Sequence, residues 1–150
     1  ATLGYRQVAT VAAVSKNGAP LTYRSLAPAC ALNGQQITPL AAVGECAISV
    51  TSAGNATAAP VTVILPIRLT VGAQTLGSFA LAQSLKAYSK TNLPTETNFG
   101  EKVTYKAVGS CSVVRSVLTM RKGKCDISAT SKARKGLYEA LSLKLTTTSK

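Results

Sequence analysis

LTYRSLAPACALNGQQITPLAAVGECAISVTS, Leu21 to Ser52, decides the fold because the chain writes it twice. From Val103 to Ser131 it reads VTYKAVGSCSVVRSVLTMRKGKCDISATS. Tyr23 aligns with Tyr105, Cys30 with Cys111, Ile37 with Leu118, Gly44 with Gly123 and Cys46 with Cys125. Ile48-Ser49 and Thr51-Ser52 return as Ile127-Ser128 and Thr130-Ser131. Only short loops differ in length. Self-similarity at a period of roughly 80 residues makes the chain an internal duplication.

Each copy reads as strands. Leu21-Thr22-Tyr23-Arg24 and Val103-Thr104-Tyr105-Lys106 alternate apolar and polar residues with period two. Cys46, Ile48 and Val50 share a face, as do Cys125, Ile127 and Ala129. The same alternation puts Tyr23 and Tyr105 on the inward face, as large residues of an aromatic-poor core. The last strand of each copy continues it, through Val61, Val63, Leu65, Ile67 and Leu69 and through Leu141, Leu143 and Leu145. Asn33-Gly34 is a hairpin-turn signal, and Pro66 within its strand predicts a sheet edge or a bulge. Leu81 to Tyr88 is the one helical candidate, but it is short and runs into a Ser/Lys/Thr/Asn stretch. Short strands with frequent turns predict an all-β protein of two tandem immunoglobulin-like β-sandwiches, residues 1–71 and 72–150. The connector Val71-Gly72-Ala73-Gln74 is short, with a bend possible at Gly72.

Composition agrees. Of the residues 46% are apolar, but there is no Trp and there are only two Phe, so the core is built from small and β-branched side chains suited to pleated sheets. No apolar run reaches the ~18 residues of a membrane span. The charged start and long apolar stretch of a signal peptide are not seen, so Ala1 reads as a mature or trimmed terminus. The net charge of +12 is uneven: residues 1–70 set Arg6, Lys16, Arg24 and Arg68 against Glu45, while the rest of the chain holds thirteen basic and four acidic side chains. Such a shift marks two modules with different surfaces.

Four cysteines allow three pairings. Joining Cys30 to Cys46 and Cys111 to Cys125 is the economical one, a disulfide in each copy. A four-cysteine metal site is the alternative, but no Cys-x-x-Cys spacing and no histidine occur. Closing such loops stabilises by about 3 kcal/mol in the chain-entropy model, and disulfides imply an oxidising compartment, secreted or at the cell surface.

The run Gly18 to Pro60 resembles the bacterial immunoglobulin-like repeats of large surface and secreted proteins. Pro20 to Ser25, Pro28, Cys30, Gly34, Ile37 to Leu40, Gly44, Cys46, Ile48 and Gly54-Asn55 fit the pattern of those repeats. The second copy keeps Tyr105, Cys111, Gly123, Cys125 and Ile127, and departs from the pattern at Arg121-Lys122 and at Lys132 to Lys135. The resemblance implies an extracellular spacer, stalk or adhesive unit, and it carries over no catalytic residue.

The inventory for catalysis is thin. There is no histidine, and Glu45, Glu96, Glu101, Asp126 and Glu139 are scattered. No nucleophile or phosphate-loop motif occurs, and a lone aspartate excludes Asp-rich calcium loops. We therefore expect no enzyme, no metal and no cofactor. Asn55-Ala56-Thr57 fits a glycosylation sequon but reads more simply as a turn. The feature to weigh is a basic surface: Arg121, Lys122 and Lys124 in one loop and Lys132, Arg134 and Lys135 in another, roughly 20–25 Å apart at opposite ends of one strand. A solvated surface explains it. The functional alternative is an anionic envelope polymer or polysaccharide, and the lack of aromatic residues near either loop, with only Tyr138 close, argues against specific nucleic-acid binding. Other partners expected are surface-protein domains or copies of the chain itself. In that last case Ala1 to Val14, strand-like and free of proline, pairs with a neighbour's edge in an extracellular filament. Its simpler role is the first strand of its own sandwich.

Overall fold

The computed structural model describes residues 1–149, and it is all-β. The chain divides into two compact units, Ala1–Gly72 together with Lys135–Tyr138, and Ala73–Arg134 together with the residues from Glu139 onward. The division thus falls after Gly72, one residue beyond the expected boundary, and the short segment Lys135–Tyr138 belongs with the first unit. The reason is local. Buried Tyr138 stacks on Tyr5 with ring centroids 6.4 Å apart, and the Gly72 N–H donates to the Leu137 carbonyl at 2.8 Å.

In the first unit β1 (Thr2–Gly4), β7 (Val61–Thr70), β6 (Glu45–Ser52) and β3 (Leu21–Ser25) form one sheet in that order. A second sheet holds β2 (Ala9–Thr10), β5 (Gln36–Pro39) and β4 (Cys30–Asn33). β1 lies parallel to β7, and the other pairs are antiparallel. Ile37 from one sheet and Cys46, Ile48, Ile67 and Leu69 from the other meet in a single buried cluster. The disulfide Cys30–Cys46 joins β4 to β6, linking the two sheets with Cα atoms 5.8 Å apart. Asn33 pairs with Gln36 across a tight hairpin, with Gly34 at φ +57°, a conformation only glycine adopts without cost.

The second unit repeats this plan with longer strands. β10 (Thr104–Val114) covers the course of both β3 and β4, and β11 (Val117–Ser131) that of both β5 and β6. β12 (Leu141–Ser149) pairs with β11 as β7 does with β6, and β8 (Ser84–Leu85) lies parallel to β12 as β1 does to β7. β9 (Lys90–Asn92) pairs with β11 as β2 does with β5. Cys111–Cys125 closes this unit, Cα atoms 5.6 Å apart. The tyrosines match in detail. Tyr23 donates its hydroxyl to the Ala12 carbonyl at 2.9 Å and Tyr105 to the Pro94 carbonyl at 2.7 Å, each eleven residues upstream.

Leu81 to Tyr88, short for a helix, contains none; Ser84 and Leu85 extend to join β12. The opening segment pairs within its own unit, the simpler of its two expected roles, as β1 on β7 and β2 on β5. One expectation changes: β7 buries only Ile67 and Leu69, while Val61, Val63 and Leu65 are exposed despite their core-like alternation. Pro66 does sit at a sheet edge, as its lost donor predicts. Arg68 N–H bonds to Ala1 across the outer side of β7, and Leu69 N–H turns inward to the Gly44 carbonyl. Alternation along the strand therefore aims the Pro66 nitrogen outward, away from β6.

Candidate functional site

The basic residues expected on a loop stand instead on a continuous strand. Gly109 pairs with Cys125 and Cys111 with Met120, so Ser110 alone opposes Arg121, Lys122, Gly123 and Lys124. This wide bulge replaces the Leu40–Gly44 connection of the first unit. β11 keeps its ladder on the other side, where Gly123 pairs with Ser149 and Lys124 with Thr148. The bulge needs its glycines: Gly109 has φ +100° and Gly123 φ +128°, and a Cβ on Gly109 would collide with the Lys124 carbonyl oxygen.

Charge on the bulge is partly spent. Lys124 Nζ lies 3.1 Å from Asp126 Oδ2, both side chains more than half exposed. Asp126 also accepts from Thr146 Oγ1 at 2.7 Å. The Thr146 hydroxyl first, and then Lys124, hold the Asp126 carboxyl below the ordinary range. Among the described residues neither Arg121 nor Lys122 is ion-paired, and both are exposed. These two cations are the available ones.

The other three basic residues do not join them. Lys132 and Arg134 follow the far end of β11, eight strand positions from Lys124, which is about 26 Å. Lys132 lines an open cleft of about 540 Å³ with Glu101, Lys102 and Thr104. Lys135 is grouped with the first unit.

The sequence reading missed what lies beside the bulge. Tyr88 N–H donates to the Met120 carbonyl at 3.0 Å, and Met120 N–H to the Ser89 carbonyl. This places a tyrosine 77% exposed, with φ +62°, next to Arg121. Lys86 and Lys90 flank it, and Lys90 pairs with Thr119. Tyr88 thus lies beside this basic stretch along the backbone, brought there by long-range pairing of the β9 segment with β11. A lone ring among cations gives point contacts to an anionic chain rather than a stacking platform for successive bases.

Elsewhere chemistry is sparse. Among the described residues no group of three or more His, Cys, Asp or Glu side chains could hold a metal ion, and no helix is long and apolar enough to cross a membrane. In the Asn55-Ala56-Thr57 tripeptide, Asn55 Oδ1 accepts from the Thr57 N–H at 2.9 Å, an Asx turn, while Nδ2 donates to the Asn17 carbonyl. No protein-family model matches the chain, and no curated protein matches it.

Proposed function

We propose that the chain is a pair of tandem immunoglobulin-like β-sandwiches serving as a non-catalytic spacer or adhesive module in an oxidising exterior, akin to the bacterial repeats it resembles. The observation that carries this is the repetition of one strand plan with one disulfide in each unit. Small cores without tryptophan gain from such staples, and a β-module held under tension suits a setting where they persist. Pulling single molecules tests it. Two discrete unfolding events are expected, and reduction should lengthen them by about 50 Å each, the reach of the 16- and 14-residue separations that the disulfides lock. A gradual, featureless extension in oxidising buffer would sink the spacer reading.

A second reading rests on Arg121, Lys122 and the exposed Tyr88: contact with an anionic envelope polymer or polysaccharide. Reversing Arg121, Lys122 and Lys124 to Glu should then abolish retention on an anionic polysaccharide matrix, while Arg24→Glu should matter little. Equal retention of both variants would return these residues to ordinary solvated surface.

A further inference from the structure

In the second unit, the segment ahead of β8 fills a side opening of its own fold. Leu76 is buried with Val103, Ala129 and Leu141. Phe79 and Leu81 pack on the cluster of Leu93 and Leu118. Gln74 is anchored by all four of its hydrogen-bonding positions. Nε2 donates to the Lys132 and Glu139 carbonyls, both at 2.7 Å, and Oε1 accepts from Thr97 Oγ1 at 2.7 Å and Ser131 Oγ at 3.2 Å.

The first unit carries the same receiving surface, uncovered. Register makes Val61 the equivalent of Leu141, because Ser52 pairs with Val61 and Ser131 with Leu141. Leu65 matches Leu145 in the same way, opposite Ile48 and Ile127. Leu141 is 7% exposed, but Val61 is 55% and Leu65 42% exposed. A cleft of about 190 Å³ is lined by Ser15, Leu21, Val50, Ser52 and Val61, the counterparts of the residues around Gln74 and Leu76. A second, of about 370 Å³, is lined by Val11, Ile37 and Leu65, the counterparts of those that receive Phe79 and Leu81. The polar end matches too. Ser15 Oγ accepts from Ala19 N–H as Thr97 Oγ1 does from Glu101 N–H, and Ser52 Oγ accepts from Gly54 N–H. Each hydroxyl keeps its proton to donate, as Thr97 and Ser131 do to Gln74.

We propose that this cleft along β7 is a docking site for an extended peptide of the pattern Gln-x-Leu-x-x-Phe-x-Leu, that of Gln74 to Leu81. The glutamine amide lies between Ser15 and Ser52. The first leucine packs on Leu21 and Val50, and the phenylalanine and last leucine on Val11, Ile37 and Leu65. The cleft carries no charged side chain among these residues, which matches a segment without charge. The inference is independent of the spacer reading.

The test is thermal. A synthetic peptide of residues 74–83, QTLGSFALAQ, is added in excess to the full chain, and the melting of the first unit is followed. In a companion protein the same residues through Ala82 are fused ahead of Ala1. That register is set by the chain itself, since the Ala1 carbonyl takes Arg68 N–H as the Gln83 carbonyl takes Thr148 N–H. A rise of at least about 4 °C is expected from one or both, lost in Val61→Glu and Leu65→Glu, which change exposed positions. The proposal is overturned if neither raises the melting temperature or if both variants keep the rise. It is also overturned if the chain alone dimerises in a way that Val61→Glu abolishes, which would assign the cleft to a second copy.

Discussion

Single residues carry more of this fold than their chemistry announces. Tyr23 and Tyr105 were legible as a matched pair, because a large residue at the same place in each copy of an aromatic-poor core must be inward. Their hydroxyl bonds were not, since the accepting carbonyls lie on a different segment. Tyr105 is half-buried, and burial raises its phenol above the ordinary value of 10.0. The neutral form, which also donates to Pro94, is thus favoured by folding. Its contribution is fully present below the unfolded value and is lost as pH rises through the folded one. Tyr105→Phe should cost about 1 kcal/mol near neutrality and flatten the alkaline fall in stability, read by denaturant titrations from pH 7 to 11. Gln74 was illegible: a glutamine beside a glycine connector has no periodicity to betray it. With four hydrogen bonds it is a core residue, and Gln74→Leu should destabilise the second unit by about 3 kcal/mol, measured in urea, because two hydroxyls and two carbonyls lose their partner together.

At the scale of elements, period-two alternation revealed the strands wherever one face meets a core, as in β6 and the second half of β11. It misled in β7, where Val61, Val63 and Leu65 keep the alternation without a cover. It was silent on the β10–β11 bulge, because Arg121-Lys122-Gly123-Lys124 has the composition of a loop, and Gly123 and Lys124 are held in the ladder by pairing with β12. The basic site was misread for that reason, and Tyr88 was missed because β9 is three residues long. Gly109→Ala tests the bulge. Its backbone lies at φ +100° against the Lys124 carbonyl, so the variant should lose about 1–3 kcal/mol. The loss should be confined to the second unit, as followed by amide hydrogen exchange.

For the whole molecule, the dominant feature is a similar strand order with one disulfide in each unit, and two cysteines, a tyrosine and a glycine in register pointed to it. The excursion of Lys135–Tyr138 to the first unit was not legible, because a short Lys-Gly-Leu-Tyr turn looks like any surface loop. The two units differ in surface more than in plan: most of the net charge of +12 lies in the second half. Their staples are alike in span, at 16 and 14 residues. Reduction should therefore lower the stability of each unit by a similar amount, about 3 kcal/mol. In calorimetry of the full chain both units should melt lower with reductant. A loss confined to one unit would mean that the other staple is dispensable.

The proline in β7 has a consequence for solubility. Val61-Thr62-Val63-Ile64-Leu65 is uncharged, β-prone and exposed, which is the profile of a segment that recruits its own kind into cross-β fibrils. At its end Pro66 presents no N–H to the outside, so a strand growing along this edge meets a gap before it reaches Arg68. The ring works as a gatekeeper against self-templated aggregation. Pro66→Val should leave the disulfides and the β6 pairing in place while shortening the lag of thioflavin-positive aggregation on prolonged incubation.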